Sequence, residues 1–303
     1  MAQSWLGQSN RRAFLSGVGA MAAFSLANVA PAESGQEGAS RTAGAPGAAS
    51  RIPDTDEQRI SDLVTGNHIL FDQGVVDGFG HLSVRSVKDP THFFMSQSRA
   101  PGLVARDDIM EFDADSKPID QRGRPMYGER FIHGEILRAR ADVHSVVHSH
   151  SSAVIPYTVT GVALRPMIHT AGFIPEHVPT FEIRDVEGED NGILVHNTVS
   201  GAGVAKALGN SPLVLMRGHG MAVVGPSVRH AVYRAIYTQL NAQIQLQAML
   251  IGAGKIIFLN PKEAANVDAT NEGGLYSERP RQWDLWVAEA KVSSSGLMEA
   301  AKP

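Results

Sequence analysis

Two short apolar runs in the second half of the chain leave few folds open to it. Residues 213–216 and 221–224 read LVLM and MAVV, and only RGHG, residues 217–220, separates them. Each run has the length of a buried strand, and so short a connection joins antiparallel neighbours, because a parallel pair needs a long crossover. The stretches HLSVRSV and THFFMSQS, with a turn at residues 88–90, repeat the strand–turn–strand pattern. The sequence therefore predicts a largely antiparallel sheet rather than a doubly wound one.

Helical patterns alternate with these strands. Four stretches have the apolar period of a helix: residues 56–75, 129–140, 198–208 and 228–252. Three further stretches read as strands: residues 143–150, 166–168 and 178–183. Together these elements predict one α/β domain over residues 55–290, with helices around the sheet, and a frayed tail at residues 291–303.

The composition narrows the chemistry. None of the 303 residues is a cysteine, which excludes disulfides, thiolate metal sites and cysteine nucleophiles, so any metal must be held by His, Asp or Glu. The net charge is −4, and neither a basic excess nor a binding motif indicates a DNA or RNA partner. A hydrophobic fraction of 43% is ordinary for a globular protein.

The N-terminus has the features of an export signal. Arg11 and Arg12 precede a mildly apolar run, and APA at residues 30–32 is a small-x-small cleavage pattern. Residues 1–32 are therefore predicted to be a twin-arginine signal peptide, and residues 33–54 a flexible linker rich in Gly, Ala and Ser. The apolar run is too short and too mild for a stable membrane span. The prediction is a periplasmic protein, or a cytoplasmic one if the arginine pair is a coincidence.

Three of the twelve histidines fall within residues 144–150, HSVVHSH. In a strand, side chains two residues apart point to the same face, so His148 and His150 project together and His144 shares their face. A divalent cation stabilises neighbouring imidazoles because it binds neutral nitrogen donors. This short motif leaves open the alternative of a pair of surface histidines at a strand end.

Further ligands must come from elsewhere in the chain. His219 lies between two glycines in the hairpin turn, where glycine lets the backbone approach a ligand, although a tight turn can also merely tolerate a histidine. His169, in MIHTAG, is either catalytic or a buried, hydrogen-bonded histidine. Glu129 begins the helix before the histidine strand and is a candidate for proton transfer, although a glutamate there usually complements the helix dipole.

In order and spacing, these motifs resemble the class II aldolase/adducin family. The resemblance covers about residues 56–255 and rests on GHLSVR at residues 80–85, on GERFIHGE with the His-x-His motif, and on GHG at residues 218–220. It implies a three-layer α/β/α sandwich with a central, mostly antiparallel sheet. It also implies a cyclic homotetramer with the metal site near a subunit interface.

The resemblance also implies roles for single residues. His148, His150 and His219 match the family's three metal-binding histidines, and Glu129 matches its acid/base. The implied cofactor is a divalent metal ion, which we expect to be Zn, Mn or Fe. Such a metal stabilises an enolate-type intermediate as a Lewis acid.

The chain departs from the sugar-phosphate members where they hold phosphate. Those members have Gly-Asn in the early motif, then a Thr-Gly loop, then Ser-Ser before the glutamate, whereas this chain has GH, SQSRAPG and YG. A sugar phosphate is therefore not expected, and Arg99 and Arg130 are candidates to bind a carboxylate, or else form ordinary ion pairs. The variant pattern resembles the branch with hydroxy-methylpyridine-dicarboxylate decarboxylase and the oxidative decarboxylase of aminocoumarin biosynthesis.

The leading prediction is a carbon–carbon lyase that acts on a small-molecule carboxylate. Decarboxylation of a hydroxylated, aromatic or 2-oxo acid ranks ahead of aldol cleavage, with Glu129 or His169 protonating the carbanion. The predicted substrate contacts are His81, Ser96, Arg99 and Arg130. Two alternatives stay open: an Fe(II)-dependent oxygenase or oxidative decarboxylase, and a non-catalytic interaction domain like that of adducin.

Overall fold

The computed structural model describes residues 55–252, 255–275 and 281–300, so the predicted signal peptide and linker lie outside the described residues. The helices are α1 (Asp56–Asp72), α2 (Arg130–Ala139), α3 (Ile155–Val159), α4 (Arg184–Glu187), α5 (Thr198–Leu208), α6 (Val228–Ile251), α7 (Pro261–Leu275) and α8 (Arg281–Ala300). The strands are β1 (His81–Arg85), β2 (Phe93–Ser96), β3 (Ile109–Phe112), β4 (Ser145–Ser149), β5 (Thr180–Phe181), β6 (Leu213–Met216) and β7 (Gly220–Gly225).

The seven strands form one sheet in the order β3-β2-β1-β4-β7-β6-β5. Neighbours in it are antiparallel, except that the short edge strand β5 runs parallel to β6. β4 lies at the centre between β1 and β7, with His148 opposite His81 on one side and opposite Ala222 on the other. The predicted, mostly antiparallel sheet is confirmed.

Alternate side chains of the strands enter two hydrophobic cores, one on each face of the sheet. Val147 and Val223 pack in the core covered by α1, α6 and α8. Val146 and Val224, one residue along each strand, pack in the core covered by α2 and α5. Because successive side chains of a strand point to opposite faces, the sheet is the middle layer, and the predicted three-layer sandwich is confirmed.

Two strand predictions need correction. Residues 166–168 form no strand, because their backbone groups are bonded by an α6 side chain and by the Leu259 N–H, which donates to the Pro166 oxygen at 3.0 Å. The Met167 N–H donates to Asn241 Oδ1 at 2.8 Å, and the adjacent Arg165 N–H donates to Gln245 Oε1 at 2.9 Å. The strand predicted over residues 178–183 is limited to Thr180–Phe181.

The C-terminal helix runs further than expected. α8 continues to Ala300, through most of the segment predicted to be a frayed tail, and Trp283 and Trp286 of this helix are buried. The domain boundaries themselves stay predictions. Within the described ranges, no helix combines the length and the hydrophobicity that crossing a membrane requires.

Candidate metal centre

The end of β4 supplies two histidines. His148 is a fully buried residue of the strand, and His150 follows the strand's last residue, with 2.9 Å between the two Nε2 atoms. His148 Nδ1 lies 3.0 Å from the main-chain oxygen of Met221 in β7. Since a carbonyl oxygen can only accept, Nδ1 carries the proton and Nε2 keeps a lone pair for a cation.

The turn between β6 and β7 supplies a third histidine. Gly218 has a φ of +63°, which glycine adopts without strain, and the His219 N–H closes the turn on the Met216 oxygen at 3.0 Å. The His219 Nε2 consequently lies 3.2 Å from that of His148 and 2.9 Å from that of His150. Three histidines from two separate segments thus meet at the end of the central strand β4.

The start of β7 is packed tightly against the end of β4. A Cβ atom on Gly220 would lie 2.1 Å from the main-chain oxygen of Ser149, so only glycine fits here. We expect Gly220→Ala to push the two strand ends apart, to lower the free energy of unfolding by about 1–3 kcal/mol and to weaken metal binding. Urea unfolding and metal titration measure both effects.

Gly192→Ala is the matched control, because nothing lies within 4 Å of a Cβ atom at this position. It should leave the stability unchanged or raise it slightly, since alanine restricts the unfolded chain. Equal stability and metal affinity of the two variants would mean that the close approach at Gly220 does not shape the site.

Glu129 lies at the N-terminal end of α2 but makes no capping hydrogen bond with its side chain. Its carboxylate instead faces the histidines: Oε1 lies 3.2 Å from His219 Nε2, and Oε2 lies 3.4 Å from His148 Nε2 and 3.8 Å from His150 Nε2. The Glu129 side chain therefore does not cap the helix; apart from the histidines, its carboxylate accepts only a long hydrogen bond from the Val195 N–H, at 3.5 Å.

The charges of these groups depend on one another. Burial raises the pKa of Glu129, but the four histidines around its carboxylate outweigh burial and hold that pKa well below its usual range. Burial lowers the pKa of His148 to about 3, although Glu129 opposes the shift. The result is an ionised carboxylate beside a neutral imidazole, the protonation state that metal ligands require.

The spacing of the donor atoms fits one cation. The ligand atoms of Glu129, His148, His150 and His219 all lie within 4.8 Å of one another. Nitrogens about 2.1 Å from a metal are about 3.0 Å apart at right angles and about 3.4 Å apart at tetrahedral angles. The three Nε2 separations, 2.9, 2.9 and 3.2 Å, match this range. Three imidazoles and one carboxylate suit Zn, Mn or Fe, which take nitrogen and oxygen ligands.

A cavity of about 300 Å³ opens beside these ligands, and Glu129 and His150 line it. Its other lining residues are Gly78, Phe79, Gly80, His81, Ser98, Arg99, Ala100, Tyr127 and Gly128. Phe79 is 71% exposed, with its ring centroid 6.3 Å from that of His150, and the Tyr127 ring packs 4.6 Å from that of His81. The cavity thus joins the ligand cluster to aromatic side chains and one arginine.

Hydrogen bonds fix Arg99 at the rim of this cavity. The Tyr127 hydroxyl donates to the Arg99 carbonyl oxygen, accepts the Arg99 N–H at 3.2 Å and lies 3.2 Å from the Oγ of buried Ser96. The guanidinium Nε donates to the Leu103 oxygen at 2.7 Å and lies 3.3 Å from Asp108 Oδ2. Its two terminal nitrogens have no partner among the described residues, which leaves them available to a ligand.

The structure does not bring every predicted residue to this site. The Arg130 guanidinium donates to the main-chain oxygens of Ser116 and Tyr127 at 2.8 and 3.0 Å, so it supports the loop before α2 instead of lining the cavity. His169 is exposed in a short 3-10 helix outside the ligand cluster, and so is not the buried histidine that one prediction allowed. His144 precedes β4 and also lies outside the cluster. The catalytic and binding roles of Arg130 and His169 stay predictions.

Two buried residues behind His81, namely Ser83 and His133, were not predicted from the sequence. The fully buried His133 lies with Nε2 2.7 Å from His81 Nδ1 and with Nδ1 2.7 Å from Ser83 Oγ. Two spacings in the sequence could have indicated these residues. His133 follows Glu129 by four residues on one helix face, and Ser83 follows His81 by two residues on one strand face.

A three-layer sandwich with three histidines and a glutamate gathered at the end of its central strand has the architecture of a class II aldolase. The chain belongs to the class II aldolase/adducin family, because residues 61–246 match the family described as "Class II Aldolase and Adducin N-terminal domain". The predicted family is therefore confirmed.

Individual relatives refine this placement. Decarboxylase tropJ of Talaromyces stipitatus is 39% identical over 259 residues, covering 78% of this chain and 95% of the relative. The 3,4-dihydroxyphthalate decarboxylase of Arthrobacter keyseri is 29% identical over 200 residues, covering 61% and 76% of the two chains. An aldolase II superfamily protein from Pseudomonas syringae shares the fold, with a TM-score of 0.66 at 21% identity over 80% of this chain and 94% of its own. These findings confirm the predicted decarboxylase branch and the predicted enzyme class, a metal-dependent carbon–carbon lyase.

Proposed function

We propose that the protein is a divalent-metal-dependent decarboxylase of hydroxylated aromatic carboxylic acids. The observation that carries the proposal is a single cavity lined by Arg99 together with Glu129 and His150 of the ligand cluster. The Arg99 guanidinium is a group that can bind a carboxylate. Relatives named as decarboxylases, one of them for 3,4-dihydroxyphthalate, support the reaction class.

The lining of the cavity favours a planar acid. Phe79 and Tyr127 offer aromatic surfaces to a ring, and aromatic pairs attract each other beyond the area that they bury. The two terminal nitrogens of Arg99 suit a carboxylate, which a guanidinium binds through two parallel hydrogen bonds. We therefore place the substrate carboxylate at Arg99 and the ring between the aromatic side chains.

The metal ion, which we propose to be Zn, Mn or Fe, would be held by His148, His150 and His219, with Glu129 within reach. When bound, it would act as a Lewis acid and stabilise the negative charge that develops on the substrate. The surrounding imidazoles keep Glu129 ionised, so it acts first as a base.

The proton balance of the reaction follows from this charge state. Glu129 accepts the proton of a substrate hydroxyl, and His81 donates a hydrogen bond to a substrate oxygen. The bond to the carboxylate carbon then breaks, CO₂ leaves, and the electron pair stays on the ring carbon. Glu129 returns its proton to this carbon, and solvent reprotonates the substrate oxygen, so one proton is consumed for each CO₂ released.

A turnover screen tests the proposal. Protein loaded separately with Zn²⁺, Mn²⁺ and Fe²⁺ is given 3,4-dihydroxyphthalate, other hydroxylated aromatic acids and 2-oxo acids in a closed vessel. We expect one CO₂ per substrate consumed, no O₂ uptake, and loss of turnover on chelation. O₂ uptake with Fe²⁺ alone would instead support an oxidative decarboxylase, and cleavage without CO₂ would support an aldolase. Protein that binds no metal and turns over none of these acids would support a non-catalytic domain.

Arg99→Gln tests how the acid is bound. Because the change removes a charged donor pair worth about 1.5–3 kcal/mol, we expect KM to rise about 10- to 100-fold with a smaller change in kcat. Steady-state kinetics on the best substrate measure both constants. Arg122→Gln is the matched control, since Arg122 is an exposed arginine paired with Asp120, away from the cavity. An unchanged KM in Arg99→Gln would remove Arg99 from substrate binding.

Two proposals concern the assembly and the location of the protein. We propose a homotetramer, which rests on the family resemblance, and twin-arginine export to the periplasm, which rests on residues 1–32 alone. Light scattering tests the first. Cell fractionation of the wild type and of a variant with Arg11 and Arg12 replaced by lysine tests the second, and equal distribution of the two would contradict export by this route.

A further inference from the structure

A buried hydrogen-bond chain leads from the core of the sheet to the cavity. It connects Ser83 Oγ to His133 Nδ1 at 2.7 Å, and His133 Nε2 to His81 Nδ1 at 2.7 Å. Ser83 and His133 are fully buried, and His81 is 3% exposed where it lines the cavity. The proposed reaction uses His81 but assigns no role to the two residues behind it.

The serine fixes the direction of the chain. Among the described residues, His133 Nδ1 is the only hydrogen-bond partner of the Ser83 hydroxyl, so this hydroxyl either donates to it or leaves its proton without an acceptor. A buried O–H without an acceptor is costly, whereas an unused oxygen lone pair is tolerated. Ser83 therefore donates to His133 Nδ1.

The donor in this first hydrogen bond also determines which nitrogens of His133 and His81 carry protons. His133 accepts at Nδ1, and because complete burial lowers its pKa well below the usual value, it is neutral and carries its single proton on Nε2. That N–H donates to His81 Nδ1, so a neutral His81 carries its own proton on Nε2. This atom lies 3.8 Å from Glu129 Oε2, a carboxylate oxygen, which can only accept.

We propose that Ser83 and His133 are positioning residues that hold His81 in the tautomer with its proton on Nε2. His81 then presents a neutral hydrogen-bond donor to an oxygen of the substrate and cannot act as the base, which leaves that role to Glu129. The chain ends at Ser83 in the core, so it orients His81 and does not carry protons to solvent. The expected effect on turnover rests on the proposed function, whereas the assignment of the His81 tautomer does not depend on it.

Nitrogen NMR of the Zn²⁺-loaded, full-length protein measures the tautomer without any substrate. With histidine labelled by ¹⁵N, and the His81 signals assigned through His81→Gln, we expect a protonated Nε2 and a bare Nδ1 in the wild type. Ser83→Ala and His133→Phe should shift the proton of His81 toward Nδ1. His133→Gln should restore the wild-type signals, because its amide N–H₂ can donate to His81 Nδ1.

Ser145→Ala is the control, since it removes an equally buried hydroxyl from β4 that donates only to the Ser83 main-chain oxygen. It should leave the His81 signals unchanged. A wild-type proton on Nδ1, or His81 signals that are the same in Ser83→Ala, His133→Phe and the wild type, would overturn the proposal. Ser83→Ala keeps the test open even if His133→Phe does not fold.

Kinetics supply a second measurement that a merely structural role would not reproduce. We expect Ser83→Ala and His133→Phe to keep the bound metal but to lower kcat about 10- to 100-fold, less than the about 100- to 1,000-fold cost of removing an oriented donor itself, and His133→Gln to recover most of it. If His133→Gln were as impaired as His133→Phe although His81 kept its tautomer, the role in turnover would be wrong. If the wild type released no CO₂ from any acid tested, the proposed function would fail while the NMR result stood.

Discussion

Replacing His148 by alanine should abolish both metal binding and turnover. His148 is the fully buried ligand of the cluster, and the Met221 oxygen fixes its tautomer. Four-ligand zinc sites gain roughly 10–16 kcal/mol, about 3 kcal/mol per ligand, so the loss of one ligand should weaken the affinity about 100-fold or more. Without the metal, several kcal/mol of charge stabilisation are lost, which lowers kcat by about 1,000-fold or more.

Elemental analysis and metal titration of purified His148→Ala, followed by the CO₂ assay, measure these effects. Because the deletion of a buried ring can also destabilise the fold, His150→Ala is a companion variant: its side chain is 31% exposed and lies just beyond the strand. His177→Ala, at an exposed histidine outside the cluster, should behave like the wild type. Wild-type metal content in both cluster variants would contradict the assignment.

Glu129→Gln should separate metal binding from catalysis. Glutamine keeps the size of the side chain but cannot take up and return a proton, and general acid–base catalysis contributes about 100- to 10,000-fold. We therefore expect kcat to fall by this factor. The three imidazoles remain, so most of the metal should stay bound at saturating concentration.

Metal content and kcat of the same preparation give both readings. Glu189→Gln is the matched control, since this glutamate is 85% exposed and pairs only loosely with Arg184, at 3.8 Å. Activity equal to that of the wild type in Glu129→Gln would remove Glu129 from the mechanism. Loss of the metal together with the activity would make Glu129 a required ligand rather than the base.

The sheet could be predicted because its signals are local. The apolar runs 213–216 and 221–224 with their four-residue connection became the hairpin β6–β7, and the alternation over residues 143–150 became β4. The incorrect strand at residues 166–168 had an equally apolar sequence. Its Met167 N–H instead donates to Asn241 of α6, and its Pro166 oxygen accepts the Leu259 N–H. Both partners are distant in sequence, so no local pattern could reveal them.

In the candidate site, too, local sequence patterns predict some features, whereas others depend on the tertiary structure. The period of a strand brings His148 and His150 together, but the meeting of this pair with His219 depends on the pairing of β4 with β7, which no local pattern reveals. The family resemblance supplied only the match of the three histidines to metal ligands. The position of Glu129 at a helix start left open a proton-transfer role or an ordinary helix-dipole role, and only the tertiary structure turns its carboxylate to the histidines.

Arginines were the hardest residues to place. Arg99 and Arg130 looked equivalent in the sequence, yet one lines the cavity and the other binds main-chain oxygens of the loop before α2. A long, charged side chain reaches many partners, so its position in sequence says little about where its guanidinium lies. The chain from Ser83 through His133 was readable in principle from the two spacings on β1 and α2, because each places two polar side chains on one face.

Anomalous diffraction at the zinc edge, from crystals grown with Zn²⁺, shows whether His148, His150 and His219 share one cation. We expect one strong peak per chain, about 2.0–2.1 Å from all three Nε2 atoms. Full occupancy of zinc at another place, or a peak that contacts no more than one of these three rings, would contradict it.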